Sequence, residues 1–188
     1  MNEDRVKKLI KELIIEIGED PTREGLKDTP RRIASAYKEI FSGYDYDSEL
    51  TVQFSEDSET VVIRDIQFYS MCEHHMLPFF GKIDIAYSPN GRVFGISKLV
   101  RLVEKYSKRL QIQERLTKNI ADELHSQGVK GVVVLTEAEH LCMKMRGVKN
   151  DAKVSSMSSR GIYENNQHRE EVLNVMKHRK IEPSTLNS

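Results

Sequence analysis

The sequence predicts an α+β domain in which helices cover one face of an antiparallel sheet, preceded by a helical N-terminal part. Three observations predict this class: amphipathic helical segments open the chain, β-rich runs come in two pairs, and two further helical segments separate those pairs. The order β-β-α-α-β-β favours antiparallel pairing with the helices on one face.

The N-terminal part contains two predicted helices. Residues 5–17 place apolar side chains at helical spacing and charged side chains on the opposite face. A break follows at 18–22, and residues 28–30 supply the cap and first-turn proline of a second helix that extends to about Phe41. We therefore assign residues 1–48 to an N-terminal helical region.

The first β-rich pair covers residues 60–70 and 81–88, and a Pro-Asn-Gly turn signal follows it. Helical periodicity then returns from Ser97, which we predict to be an N-cap, and again from about residue 113 to Gly128. Two helices are therefore predicted between the strand pairs.

The second β-rich pair is predicted at residues 130–140 and 141–148. A Ser-rich stretch leads from there to a charged helix near residues 167–178. These elements place the α+β domain at residues 49–180, and we expect the polar tail at 181–188 to be disordered.

Composition argues against several classes of partner. Lys and Arg number 29, as do Asp and Glu, so the overall charge offers no attraction to nucleic acid or to an anionic membrane. No apolar run approaches the roughly 20 residues of a membrane span. With two cysteines and a core of its own, the chain is expected to be cytoplasmic and independent of disulfides.

Both cysteines lie beside histidines, in the segments CEHH (72–75) and HLC (140–142). Random placement would put roughly 0.4 histidines within three residues of a cysteine, and three are found. Thiolate and imidazole are ligands that zinc prefers, and their spacing lets one turn present Cys72 and His75 to one ion. Cys142 can complete a set of three, which leaves a fourth position open as in catalytic zinc sites.

An alternative interpretation stays open for this cluster. The cysteines can be buried free thiols, a common state, beside core histidines whose hydrogen bonds are satisfied. The chain contains neither a His-Glu-x-x-His helix nor the motif of the zinc nucleobase deaminases. A zinc ion here would therefore serve a different chemistry.

A cationic surface is predicted beside Cys142. If residues 140–146 form a regular strand, the side chains of His140, Cys142, Lys144 and Arg146 project from one face. The alternative is that the two cations only solubilise an exposed strand end, and for Lys144 we keep that interpretation.

The predicted helix that begins near Ser97 carries Lys98 and Arg101 close to its N-terminus, where the helix dipole disfavours positive charge. A bound phosphate would compensate for them, although simple solvated charges explain the pattern equally well. No P-loop occurs, so chemistry at the base of a nucleotide is plausible. Gln113 and Glu114 can supply the amide and carboxylate for a guanine edge, but composition does not single out Glu114.

Four segments together closely resemble the GTP cyclohydrolase I family, and the resemblance runs from about residue 5 to 178. They are GEDPTREGLKDTPRRIASAYKEIFSGY, MCEHHMLPFFGKIDIAY, GISKLVRLVEKYSKRLQIQERLT and EHLCMKMRGV, in the order of the family. The resemblance implies a zinc-dependent hydrolase that converts GTP and water to 7,8-dihydroneopterin triphosphate and formate. This is the first step of tetrahydrofolate and pterin biosynthesis in that family.

The resemblance also implies roles for individual residues. It makes Cys72, His75 and Cys142 the ligands of Zn²⁺, which activates the water that attacks the imidazole carbon of the base. It makes His74 and His140 the catalytic histidines that move protons during ring opening. The implied substrate-binding residues are Arg32, Lys98, Arg101 and Arg146 for the triphosphate, Ser97 for the ribose, and Gln113 and Glu114 for the guanine ring.

The family fold is the T-fold, in which α+β subunits join their sheets into a barrel. Two pentameric rings form a homodecamer whose active sites lie between subunits, so a monomer is expected to be inactive. One departure from the family pattern is Arg160, where an apolar residue is frequent.

Two other functions remain open. One is another T-fold purine or pterin enzyme that stops at a ring-opened formamide, which product analysis distinguishes. The other is a zinc-stabilised binding module that recognises nucleic acid through Lys98, Arg101 and Arg109, against which the neutral net charge argues.

Overall fold

The computed structural model describes residues 1–46, 53–56 and 58–177. Its helices are α1 (Glu3–Glu16), α2 (Thr29–Ile40), α3 (Ile96–Ser107), α4 (Gln113–Ser126), α5 (Leu141–Lys144) and α6 (Asn166–Lys177). Its strands are β1 (Gln53–Ser55), β2 (Val61–Cys72), β3 (Pro78–Ser88), β4 (Arg92–Phe94), β5 (Leu110–Gln111), β6 (Gly131–His140) and β7 (Val154–Gly161). The predicted boundary between 48 and 49 and the predicted tail at 181–188 lie outside the described residues.

Five strands form the main sheet in the order β5-β2-β3-β6-β7. All neighbours are antiparallel except β2 and β5, which are parallel. β3 and β6 pair without a register shift from Ser88 opposite Gly131 to Phe79 opposite His140. The longest strands therefore follow the predicted β-β-α-α-β-β order, the order expected for the T-fold, and the α+β class is confirmed.

The core lies between the sheet and the helices α3 and α4. Leu99, Leu116, Ile120 and Leu124 are fully buried there against alternate residues of the central strands. Val134 faces this core, whereas the preceding residue, Val133, faces a smaller cluster that includes residues of α6. The opposite face of the sheet is therefore partly covered by the last helix, whereas the sequence predicts helices on one face.

The two N-terminal helices pack on each other, and an ion pair joins Lys38 Nζ to Glu3 Oε1 at 2.9 Å. Ile14 and Ala34 are buried between the elements of this region, while Leu9 and Leu13 remain 54% exposed. Asp28 occupies the predicted N-cap of α2 but makes no side-chain capping bond. The predicted apolar stripe thus exists and is only partly covered within one chain.

The predicted strand at 141–148 is wrong. Its first half is the helical turn α5, closed by a hydrogen bond from the Met145 N–H to the Leu141 carbonyl at 3.0 Å. Lys144 stabilises this turn through ion pairs to Glu139 at 2.6 Å and to Asp151 at 3.4 Å. The strand that pairs with β6 is instead β7, in the Ser-rich stretch.

The break at α5 also removes the predicted common face of residues 140–146, because strand alternation stops at His140. The alternation of apolar and polar side chains in this segment is the reason that it resembles a strand. Two positive φ angles, 61° at Gly147 and 49° at Lys149, bend the backbone after the helical turn.

The predicted N-cap at Ser97 is wrong by two residues. α3 begins at Ile96, with extended Gly95 as its N-cap, and the Lys98 N–H bonds to the Gly95 carbonyl at 2.9 Å. Gly95 directly follows β4, so the chain passes from strand to helix in a single residue. No helix within the described ranges is both long and apolar enough to span a membrane.

Candidate metal centre and active site

The turn after β2 positions the first two predicted metal ligands. The Cys72 N–H donates to the Leu77 carbonyl at 2.9 Å, and the Met76 N–H donates to the Cys72 carbonyl at 2.8 Å. Met76 adopts a φ of 51°, a left-handed backbone conformation that residues other than glycine rarely adopt. This tight turn places His75 Nδ1 at 3.9 Å from Cys72 Sγ.

Cys142 joins this pair from α5, which begins directly after β6. The ligand atoms of Cys72, His75 and Cys142 all lie within 4.8 Å of one another. Zinc bonds of about 2.3 Å to sulfur and about 2.0 Å to nitrogen place tetrahedral ligand atoms roughly 3.5–3.8 Å apart. The three donors therefore fit a zinc ion after a small contraction, and they are the only such group among the described residues.

The two thiols differ in their surroundings. Cys72 is buried and Cys142 is half-buried, and neither forms a disulfide. Burial raises the pKa of the Cys142 thiol and the neighbouring Cys72 raises it further, while Arg146 acts in the opposite direction. Arg146 is thus close enough to Cys142 to act on the pKa of its thiol.

His140 stands at the end of β6, two residues before Cys142. Its ring stacks on Phe79 with centroids 4.8 Å apart and an interplanar angle of 4°. Its Nε2 lies 2.9 Å from Gln113 Oε1. Burial lowers the pKa of His140, and the Glu114 carboxylate opposes part of that effect.

Gln113 is 1% exposed, and its side-chain amide is fully engaged within the chain. Its Nε2 donates to the Thr136 carbonyl at 3.2 Å, to Thr136 Oγ1 at 3.0 Å and to the Val154 carbonyl at 2.9 Å. Its Oε1 faces His140. The role of Gln113 in holding the base stays a prediction.

Two further predicted site residues are exposed near this group. His74 is adjacent to the metal turn, with its Nε2 at 4.0 Å from Glu73 Oε1. Glu114 lines a groove of about 440 Å³ between α4 and β7, together with Lys118 and Arg160. Both side chains are therefore available to a ligand.

The predicted phosphate-binding cations occupy three separate elements. Lys98 and Arg101 lie with Ser97 on the first two turns of α3, Arg146 follows α5, and Arg32 lies on α2. Arg32 donates to the Gly25 carbonyl at 3.3 Å. Within the part of the chain that the structure describes, none of the four forms an ion pair, and no hydrogen bond links Ser97 or the cations to the three candidate metal ligands.

Sequence reasoning missed the residues that hold His140 in place. Thr136 precedes His140 by four residues on β6, so a period of two places both on one face. Thr117 follows Gln113 by one helical turn, and its Oγ1 lies 2.9 Å from Thr136 Oγ1. These spacings could have predicted that Thr136 and Thr117 lie near His140 and Gln113. The stacking of Phe79 on His140 could not be predicted without knowing the β3–β6 register.

The matching family model and the relatives found by sequence point to one family. The family model described as GTP cyclohydrolase I matches residues 6–177. GTP cyclohydrolase 1 of Hyperthermus butylicus is 50% identical over 185 residues, covering 97% of this chain and 93% of that protein. The protein of the same name from Clostridium kluyveri is 49% identical over 183 residues, covering 94% and 99%.

A third relative, GTP cyclohydrolase 1 of Streptococcus agalactiae, is 50% identical over 182 residues, covering 93% of this chain and 97% of that protein. The family match thus spans both the N-terminal helices and the domain that carries the Cys-His-Cys group. The chain therefore belongs to the GTP cyclohydrolase I family and is a hydrolase.

Proposed function

We propose that the chain is a zinc-dependent enzyme that converts GTP and water to 7,8-dihydroneopterin triphosphate and formate. The observation that carries this proposal is the convergence of Cys72, His75 and Cys142, in a member of this family, on one position that suits a tetrahedral ion. Three protein ligands among the described residues are the number typical of catalytic zinc sites.

The positions of the surrounding residues support the roles that we propose for them. A zinc ion held by Cys72, His75 and Cys142 would supply Lewis acidity to activate water for attack on the imidazole carbon of the base. His140, fixed by Phe79 and Gln113, exchanges protons with the purine ring as it opens. His74, exposed on the adjoining turn, serves a second proton transfer.

The substrate is held by residues around this centre. Arg32, Lys98, Arg101 and Arg146 bind the triphosphate, since none of them is committed to a carboxylate among the described residues. Ser97 contacts the ribose. Glu114 accepts hydrogen bonds from the guanine edge, and Gln113 supports the same ring indirectly, through its hydrogen bond to His140.

We further propose that the protein acts as a cytoplasmic homodecamer with active sites between subunits. The exposed apolar side chains of α1, including Leu9 and Leu13, support burial against another subunit. β7 forms one edge of the main sheet in the single chain, which suits edge-to-edge pairing of sheets. Arg32 can then serve the site of a neighbouring subunit.

The test is to incubate the purified protein with GTP, with and without a zinc chelator, and to follow formate and the pterin by mass spectrometry. Formate and dihydroneopterin triphosphate, both lost on chelation, are the expected result. A ring-opened formamide without formate would indicate an enzyme that stops earlier. No consumption of GTP by the metal-loaded oligomer would favour a zinc-stabilised binding module.

A further inference from the structure

A chain of four polar residues runs from the interior of the domain to the predicted catalytic histidine. Thr117 and Thr136, 1% and 0% exposed, contact Gln113, and Gln113 contacts His140. Thr117 Oγ1 also lies 2.7 Å from the Gln113 main-chain carbonyl. Buried polar groups of this kind are retained only when their hydrogen bonds are satisfied.

The acceptors around Gln113 fix the orientation of its amide. Two of the atoms near its nitrogen are the main-chain carbonyls of Thr136 and Val154, which can only accept. The amide nitrogen must therefore face them, and the amide oxygen must face His140. Reversal of the amide would bring oxygen against two carbonyl oxygens and nitrogen against the imidazole.

This orientation decides which nitrogen of His140 carries the proton. Gln113 Oε1 is an acceptor, so the His140 Nε2 atom 2.9 Å away must donate an N–H. The neutral ring is then the Nε2–H tautomer, with its lone pair at Nδ1. Within the described residues Nδ1 makes no hydrogen bond, and stacking on Phe79 holds the ring plane.

The hydrogen bonds of the Thr117 and Thr136 hydroxyls agree with this orientation of the Gln113 amide. Thr117 donates to the Gln113 carbonyl, which leaves its oxygen to accept from the Thr136 hydroxyl. The Thr136 oxygen then accepts from Gln113 Nε2. The Ser156 carbonyl, 3.4 Å from Thr136 Oγ1, is a more distant second acceptor for the Thr136 proton.

We propose that Thr136 and Gln113 are positioning residues: the carbonyl and hydroxyl of Thr136 seat the Gln113 amide, which keeps the proton on His140 Nε2 and thereby makes Nδ1 the atom that exchanges a proton with the substrate. The inference rests on the proposed role of His140 in proton transfer. In each cycle the proton lost from or gained at Nδ1 is returned by water, and the Nε2 proton stays in place. Gln113 on this view acts on His140 through its side chain.

The matched test compares Thr136→Val with Thr136→Ser. Valine puts a methyl group where a hydroxyl accepts at 3.0 Å, so the Gln113 amide must move, whereas serine keeps the acceptor. We expect kcat to fall about tenfold in the valine variant with KM for GTP within about twofold, and serine to restore kcat to within about twofold. Equal kcat values for valine and wild type would overturn the proposal.

A Gln113→Met variant separates positioning from binding. Loss of the acceptor for Nε2–H should lower kcat by about 100-fold with zinc retained and KM changed little. If Gln113 instead acts by holding the base, KM rises with a smaller change in kcat, which would count against the inference.

The tautomer itself is measurable without turnover. Solid-state NMR of zinc-loaded protein with ¹⁵N-labelled histidine, assigned by difference from His140→Gln, should show a protonated Nε2 and an unprotonated Nδ1 in neutral His140. The opposite tautomer in the wild-type protein would refute the proposal. A protein with this tautomer but no GTP turnover would instead refute the proposed function.

Discussion

Glu73 and Arg115 form a two-point ion pair that joins the turn carrying the candidate metal ligands Cys72 and His75 to the first turn of α4. Arg115 Nη1 lies 2.5 Å from Glu73 Oε2, and Nη2 lies 3.1 Å from Oε1. The Arg115 hydrogen bonds lower the pKa of the Glu73 carboxyl, so the pair stays ionised. Because Glu73 directly follows Cys72, this contact restrains the turn from outside the ligand set.

Replacement of Arg115 by Gln should loosen that turn. We expect the variant to release zinc to a chelator about two- to tenfold faster than wild type, since partners beyond the ligands orient a metal site. Thermal unfolding of the metal-free protein should change little. Lys118→Gln, one turn further along α4, is the control, and equal release from Arg115→Gln and wild type would contradict this role.

Replacement of Cys142 by Ala should remove both metal and turnover, because two ligands do not hold zinc tightly. We expect less than about a tenth of the wild-type zinc content by elemental mass spectrometry and a loss of at least about 100-fold in formate release. His140→Gln should keep its zinc and still fail to open the ring. The exposed Met145, changed to Leu, is the neighbouring control, and an active Cys142→Ala protein would exclude the proposed ligand.

The ion pair of Arg160 with Asp122 predicts a pH-dependent contribution to stability. Burial acts to raise the pKa of Asp122, but hydrogen bonds from Lys118 and Arg160 outweigh it, so the folded pKa lies below the ordinary value of an aspartate. A lowered folded pKa stabilises the fold above the unfolded pKa, and this contribution is lost as pH falls through the folded value.

Arg160→Met should therefore reduce the free energy of unfolding near neutral pH by about 0.5 kcal/mol, a value discounted for the solvent exposure of both partners. The difference from wild type should shrink as the pH falls below about 4. Urea unfolding of metal-free protein at several pH values measures it, with Asp122→Asn as the second arm of a double-mutant cycle. A difference that grows on acidification would contradict the assignment.

Gly81 of β3 packs closely against the backbone of β6. A Cβ atom at this position would lie 1.9 Å from the Glu137 carbonyl oxygen and 2.8 Å from the Ala138 Cα. Gly81→Ala should consequently cost more than about 2 kcal/mol of unfolding free energy or prevent recovery of soluble protein. Gly25→Ala, where the nearest atom is a side-chain nitrogen at 3.4 Å, should be tolerated. Equal stability of the two variants would show that the strands separate easily.

Much of the architecture could be predicted from local patterns. The first strand pair, predicted at 60–70 and 81–88, corresponds to β2 and β3, and the helix ending at Gly128 is found. The failure at 141–148 arose because alternation is a local signal, whereas the turn found there brings Lys144 to Glu139 and Asp151, contacts that alternation does not indicate.

Part of the candidate site could likewise be predicted from the sequence, and part could not. Cysteine and histidine spacing was sufficient to select the three residues that the fold brings within 4.8 Å. The contacts around His140 were not accessible, because Phe79 reaches it by strand register and Gln113 by packing of α4 on the sheet. The proposed grouping of Arg32 with the other cations rests on the proposed subunit assembly, and local patterns in one chain do not predict such a grouping.

Because β3 and β6 pair without a register shift, the position of His140 opposite Phe79 depends on the number of residues in the two strands. From Ser88 opposite Gly131 to Phe79 opposite His140, each position is one step along an uninterrupted ladder. Because neighbouring side chains face opposite sides, a deletion of a single codon within β6 would turn His140 away from Phe79 and Gln113 even where the sheet re-forms. Insertions or deletions within β3 or β6 should thus be as harmful as replacement of a candidate metal ligand. The turn at 89–91 can change in length without altering the pairing of β3 with β6.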